Sequence, residues 1–186
     1  MQADLNLEAS AERCSVPPKR CSVPPLTVRP MVLDDLEQVV AIDQLSFSLP
    51  WPIHSYRYEL LENDVSRQWV AEVQSAGEAP KVIGMIVVWL ILDEAHIATI
   101  AVHPKFRGGG IGRQMLLTAL RECTAQGAAS ATLEVRERNQ IAIAMYCKFG
   151  FDVVGRRKRY YMDTNEDAIL MTLETQGLVS MASLAE

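Results

Sequence analysis

The sequence predicts a mixed α/β domain in which helices cover a central sheet, and three observations carry that prediction. Strand-like and helix-like segments alternate along the chain instead of falling into separate runs. One turn-rich stretch joins two strands as a hairpin while other strands are joined through helices, so antiparallel and parallel neighbours are both expected. The 186 residues, 49% of them hydrophobic, suit a single domain with a sizeable core.

Residues 1–25 stand apart. They hold a direct repeat, Arg13-Cys14-Ser15-Val16-Pro17-Pro18 and then Arg20-Cys21-Ser22-Val23-Pro24-Pro25, whose paired prolines favour extended chain. We expect a flexible arm there, a globular domain over 26–175 and a loose tail over 176–186. Leu26 to Arg29 reads as a short strand. Asp34 to Phe47 reads as a helix, with Leu36, Val39, Val40, Ile42 and Phe47 near helical spacing, ended by Pro50-Trp51-Pro52. A second helix is expected over Ile53 to Glu62. Gln68 to Val73 and Lys81 to Leu92 are strands joined by the loop of residues 74–80, and Ala95 to Val102 is another. Gly110 to Gln126 is a helix, Ala131 to Glu137 a strand and Gln140 to Phe149 a helix. Asp152 to Tyr161 and Ala168 to Glu174 complete the sheet.

Charge and cysteine content narrow the function. With 18 Lys+Arg against 23 Asp+Glu, the net charge of −5 lacks the basic excess of a duplex nucleic-acid binder. The longest apolar stretch, Val82 to Leu92 with Gly84 inside it, falls short of the ~20 residues a spanning helix needs, so no membrane span is expected. The run Arg156-Arg157-Lys158-Arg159 is either a solvated strand edge or a patch for an anionic partner. Four cysteines, at 14, 21, 123 and 147, show no C-x-x-C spacing, so no metal is expected. Cys123 and Cys147 read as small buried hydrophobes. The N-terminus has no apolar run of the kind an export signal carries, and free thiols then point to a reducing cytoplasm.

The most informative segment runs from Ile100 to Arg113. A strand ends at Val102, Pro104 breaks it, and Gly108-Gly109-Gly110 opens directly into a helix beginning Ile111-Gly112-Arg113. That order gathers free backbone N–H groups and a positive dipole end in one place, an anion site. A Walker loop would need Gly-Lys followed by Ser or Thr, and the Gly-x-Gly-x-x-Gly frame fails at Arg113 and at Met115. The frame that fits is Arg-x-x-Gly-x-Gly, from Arg107 to Gly112. It resembles the pyrophosphate loop of the Gcn5-related N-acetyltransferase (GNAT) superfamily, whose fold is a mixed, mostly antiparallel central sheet flanked by helices.

The second half strengthens the resemblance. Leu133-Glu134-Val135-Arg136-Glu137-Arg138-Asn139, then Ala142, Ala144, Tyr146, Gly150-Phe151, Gly155, Arg157, Tyr160-Tyr161 and Glu166-Asp167-Ala168, with Pro50-Trp51 upstream, are similar to the bacterial ribosomal-protein-alanine (RimI-type) branch. The similarity spans Leu26 to Glu174. Pro52 and Arg138 depart from the branch's usual residues, and the N-terminal arm is extra.

The resemblance implies an enzyme that moves the acetyl group of acetyl-coenzyme A to a protein N-terminal amine, with ribosomal protein S18 beginning in alanine as the implied acceptor. It implies Glu134 as general base and Tyr146 as general acid. It places the backbone of Ile100, Ala101 and Val102 along the acetyl-pantetheine arm. Arg107, Gly108, Gly109, Gly110, Ile111, Gly112 and Arg113 would hold the pyrophosphate, and Asn139 would contact the cofactor. Trp51, Tyr160 and Tyr161 are candidate walls of the acceptor groove.

Elementary chemistry agrees with those residue types. An α-amino group has a pKa near 7.7–8.0, so a modest base suffices. Strand alternation puts Thr132, Glu134 and Arg136 on one face, with Leu133 and Val135 on the other. Asn139 and Tyr146, about two helical turns apart, share a helix face. Plainer readings stay open: Glu134 as an exposed strand carboxylate, Tyr146 as a packing aromatic, Asn139 as an N-cap. His103 reads as a turn residue, and His54 and His96 as isolated and structural. Two other functions also stay open, a transferase for lysine or small amines and a non-catalytic acyl-coenzyme A sensor. The sequence carries no sign of oligomeric state.

Overall fold

A computed structural model of the chain describes residues 26–74 and 77–174; the expected arm and tail lie outside the described residues. The strands are β1 (Leu26–Pro30), β2 (Ser66–Val73), β3 (Lys81–Ile91), β4 (Glu94–Val102), β5 (Ser130–Arg136), β6 (Asp152–Tyr161) and β7 (Glu166–Glu174). The helices are α1 (Leu36–Ser46), α2 (Ile53–Leu61), α3 (Ile111–Ala125) and α4 (Gln140–Lys148), with 3-10 turns at Leu33–Asp35 and Pro104–Phe106.

The strands form one sheet in the order β1-β2-β3-β4-β5-β7-β6. Every neighbouring pair is antiparallel except β4 and β5, which are parallel because α3 carries the chain over the sheet between them. β3 is the most apolar stretch of the chain and belongs in the middle, with Val82 to Val88 buried. It feeds two cores. Ile83, Ile86 and Val88 pack on the face covered by α3 and α4, and Val82, Met85 and Val87 on the face covered by α1 and α2. α3 earns its place through one buried stripe, Ile111, Met115, Leu116, Ala119, Leu120 and Cys123. It crosses β3 at Gly84, where a Cβ would lie 2.9 Å from Met115 Cε and 3.2 Å from the Ala101 carbonyl oxygen.

Most element ends shift by one or two residues from expectation, and two of the shifts have a clear physical reason. Residues 33–35 wind as a 3-10 turn ahead of α1 because the Asp35 carboxylate is committed elsewhere: it accepts from Arg29 and from the Val32 amide, at 2.7 and 2.8 Å. Gly110 is left out of α3 because its φ is +78°. One burial expectation fails. Cys147 is exposed while Cys123 is buried, because α4 turns Ala142, Ile143, Met145 and Tyr146 towards the core and Cys147 away from it. Burial pushes the Cys123 thiol up to about 11. The run from Arg156 to Arg159 lies on β6, an outer strand of the sheet, as the strand-edge reading expects. Arg156 is tied to Glu137 and Asp167.

One feature of the sheet opens a site in its middle. β4 and β5 pair only from Glu94↔Ser130 to Ile97↔Leu133. Beyond that rung β4 bulges at Ala98 against β3, and Ala98 to Val102 have no strand partner on the β5 side. The middle of the sheet therefore splits open, exposing strand edges that would normally be paired.

Candidate active site

The split is the floor of a cavity of about 510 Å³. Ile97 to Ile100 line it from β4, and Leu133 to Arg136 from β5. The loop between α1 and α2 forms one wall with Phe47, Leu49 and Trp51, and the β6–β7 turn forms the other with Tyr160, Tyr161 and Met162. Asn139 and Tyr146 close the side beside α4.

Glu134 is the first β5 residue past the last paired rung, and strand alternation sends its side chain to the face shared with Thr132 and Arg136. Its Oε1 lies 3.0 Å from Arg157 Nη1, and its Oε2 lies 3.4 Å from His96 Nε2. His96 therefore belongs to the site's surroundings, contrary to its reading as an isolated residue. Its Nδ1 lies 3.1 Å from Thr132 Oγ1, whose hydroxyl donates to Glu94 at 2.8 Å. The Trp89 ring stacks on the imidazole at 5.5 Å, and Trp51 stacks on Trp89.

Tyr146 is 5% exposed and packs against Phe151, with ring centroids 5.7 Å apart. Burial, with a smaller contribution from nearby Tyr161, pushes its hydroxyl well above the usual phenol range, so it holds its proton at neutral pH. That hydroxyl has no hydrogen-bond partner among the described residues. Asn139 caps α4, its side-chain oxygen accepting from the Ala142 amide at 3.3 Å.

The glycine bend lies at the far end of β4, outside the cavity's lining but joined to it. Arg107 donates to the Val102 carbonyl at 2.9 Å and to Ser46 Oγ at 3.0 Å, tying the bend to the end of α1. Gly108 and Gly110 both have positive φ, +83° and +78°, which is what turns the chain into α3. The amides from Gly108 to Arg113 find no acceptor among the described residues, and the first bond of the helix runs from Gln114 to the Gly110 carbonyl. A Cβ at Gly108 or Gly110 would meet nothing within 4 Å, so the concave side is open. A diphosphate fits such a cradle. Ala101 and Val102 do not line the cavity; Ala101 is buried against the α1 face of the sheet. His103 keeps its turn role, its Nδ1 accepting from the Lys105 amide.

Sequence reasoning passed over two groups in the walls. Asp43 of α1 is 1% exposed and accepts from Tyr56 Oη at 2.7 Å and from the Trp51 amide at 2.6 Å. Burial holds its carboxyl above the usual range despite those two bonds. On the opposite side Asp163 accepts from Ser48 and pairs with Arg136, whose guanidinium lies 4.0 Å over the Tyr161 ring. These contacts join the two walls. Burial pushes the Tyr161 hydroxyl up to about 12. Asp163 pairs with Ser48 and Arg136 across 115 and 27 residues, and the partners of Asp43 reach it only when α1 and α2 pack. Among the described residues no cluster of three or more His, Cys, Asp or Glu side chains is arranged to hold a metal ion.

Comparison with known proteins agrees with the geometry. The model of the acetyltransferase (GNAT) family matches residues 36–151. A Bacillus subtilis protein named as a candidate ribosomal protein bS18-alanine N-acetyltransferase is 37% identical over 144 residues, covering 77% of this chain and 92% of that one. The Escherichia coli K12 ribosomal protein bS18-alanine N-acetyltransferase is 32% identical over 149 residues, covering 79% and 96%. The crystal structure of the ribosomal-protein-S18-alanine N-acetyltransferase from Escherichia coli superposes with a TM-score of 0.71 at 30% identity, over 81% of this chain and 94% of that one.

Proposed function

The chain belongs to the acetyltransferase (GNAT) family, and on that premise we propose that it acetylates the N-terminal alanine of ribosomal protein bS18, in the cytoplasm. Acetyl-coenzyme A is the donor and supplies an activated acetyl thioester. The observation that carries the reading is the split between β4 and β5, which opens a cavity with a carboxylate on its floor and a phenol at its side.

The residues take the following roles. Amides from Gly108 to Arg113 hold the diphosphate, with Arg107 bracing the bend. The unpaired edge of β4 at Ile100, Ala101 and Val102 runs beside the pantetheine arm, and Asn139 faces the cofactor from the start of α4. Glu134 takes a proton from the acceptor amine, directly or through water. Tyr146 keeps its proton at neutral pH and gives it to the departing sulfur. Trp51, Tyr160 and Tyr161 flank the acceptor chain, and the contact of Ser48 with Asp163 fixes the spacing of the two walls.

The test is thiol release from acetyl-coenzyme A with an alanine-starting bS18 peptide, a lysine-bearing peptide blocked at its N-terminus, and a panel of small amines. The reading predicts reaction at the free α-amine. Reaction with only lysine or small amines would replace the acceptor and keep the chemistry. Cofactor binding with no transfer to any amine would favour an acyl-coenzyme A sensor.

A further inference from the structure

Glu134 cannot keep the proton it takes. An acceptor that enters as an ammonium and leaves as an amide, while coenzyme A leaves as a thiol, releases one proton per turnover. We propose that His96 accepts that proton from Glu134, passing a proton on through Thr132 to Glu94 and the solvent. The inference rests on the acetyl-transfer reading above but not on the identity of the acceptor.

Hydrogen-bond polarity carries the argument. Glu94 as a carboxylate only accepts, so the single hydroxyl proton of Thr132 points at Glu94 Oε1, 2.8 Å away. Thr132 Oγ1 must then accept from His96 Nδ1 at 3.1 Å. That assigns the imidazole proton to Nδ1 and turns the Nε2 lone pair towards Glu134 Oε2. The two atoms stand 3.4 Å apart, longer than an ordinary hydrogen bond and within reach of one once Oε2 carries a proton. Arg157 already occupies the other oxygen, Oε1, at 3.0 Å, so Oε2 is the one free to carry a proton.

The surroundings are built for the task. The charged groups facing His96 are Glu134 from β5, Glu94 from its own strand and, behind Glu134, Arg157 from β6. β3 contributes only the Trp89 ring, stacked at 5.5 Å, which fixes the plane of the imidazole. His96 and Thr132 are directly opposite in the parallel β4–β5 register, one rung before the last pair, so the fold sets the spacing.

The step balances. The Glu134 Oε2–H bond breaks as Nε2–H forms. The Nδ1 proton passes to Thr132 Oγ1, and the Thr132 proton passes to Glu94 Oε1, which is exposed and releases it to water. Loss of the Nε2 proton to water, uptake of a proton from water at Nδ1 and rotation of the Thr132 hydroxyl restore the starting state.

The experiment compares wild type with His96→Gln, which keeps a polar side chain that cannot titrate, and with His96→Ala plus added imidazole. Acetyl transfer is read with whichever amine reacts, from pH 5.5 to 9. We expect kcat of His96→Gln to fall about tenfold at pH 7.5, less than the ~10²-fold or more typical of losing a general base itself. KM for acetyl-coenzyme A should stay within about twofold. The gap should narrow towards the acid end of that range, because a protonated imidazole has no lone pair with which to accept. Imidazole should restore part of the rate of His96→Ala. An unchanged kcat in His96→Gln overturns the proposal. So does a loss of the same size at every pH without imidazole rescue, which is the mark of a purely structural residue. A wild-type protein that transfers acetyl to no amine removes the enzymatic reading and the relay with it.

Discussion

The roles proposed for Glu134 and Tyr146 make separable demands on the chemistry. Replacing Glu134 with Gln keeps the shape and removes the proton acceptor, so kcat at neutral pH should drop by ~10²-fold or more, measured by thiol release. Tyr146→Phe should lower kcat while leaving KM for acetyl-coenzyme A close to wild type, if the hydroxyl serves the leaving sulfur, as proposed, rather than binding. That Glu134 and Tyr146 face the same cleft was legible, since a strand's alternation and a helix's period are local patterns; the roles proposed for them came from the family resemblance. His96 was not legible in that way. Its partner Thr132 lies 36 residues later, and nothing local gives the register that sets the two opposite each other. Asp43 was equally hidden, because its meaning lies in the Tyr56 hydroxyl and Trp51 amide that reach it only after α1 and α2 pack together.

At the level of elements, the glycine bend and the split strand pair do different jobs. The bend depends on backbone conformation more than on space. Gly110→Ala meets no steric clash, yet it must hold a φ of +78°. We expect a cost of about 1–2 kcal/mol. Calorimetric titration should show weaker coenzyme A binding, while kcat at saturating donor stays near wild type. Loss of kcat with binding intact would contradict the role of the bend. Pattern found nearly every strand and helix. Ends moved where a side chain or a backbone angle had a competing use, as at Asp35 and Gly110. The break between β4 and β5 was beyond any local pattern, because the segment reads as one continuous strand up to Val102 and only the register reveals where its partner leaves.

For the whole molecule, acid stability depends on how the first strand is pinned to the α1 face. Burial alone would raise the Asp35 carboxyl, but the hydrogen bonds from Arg29 and the Val32 amide win, and its pKa lies below the ordinary value. A carboxyl lowered in the folded state stabilises the fold above its unfolded pKa, near 3.9, and that contribution is lost as pH falls through the folded value. Arg29→Ala leaves Asp35 buried without its cation and should cost about 2–4 kcal/mol at pH 7. Urea unfolding should find most of that difference gone below pH 3. Asp43 works in the opposite sense, since burial raises it. Its contribution is full below the unfolded value and is lost as pH rises through the folded one.

The claim beneath all of this is that the opening between β4 and β5 is where an acetyl group passes to a chain-terminal amine. Intact-mass analysis of an alanine-starting bS18 peptide, incubated with acetyl-coenzyme A and the wild-type protein, tests it directly. A single added acetyl group, located on the α-amine by fragmentation and absent with Glu134→Gln, is the predicted result. A peptide unmodified under conditions where coenzyme A binds, or one modified equally by Glu134→Gln, would contradict it.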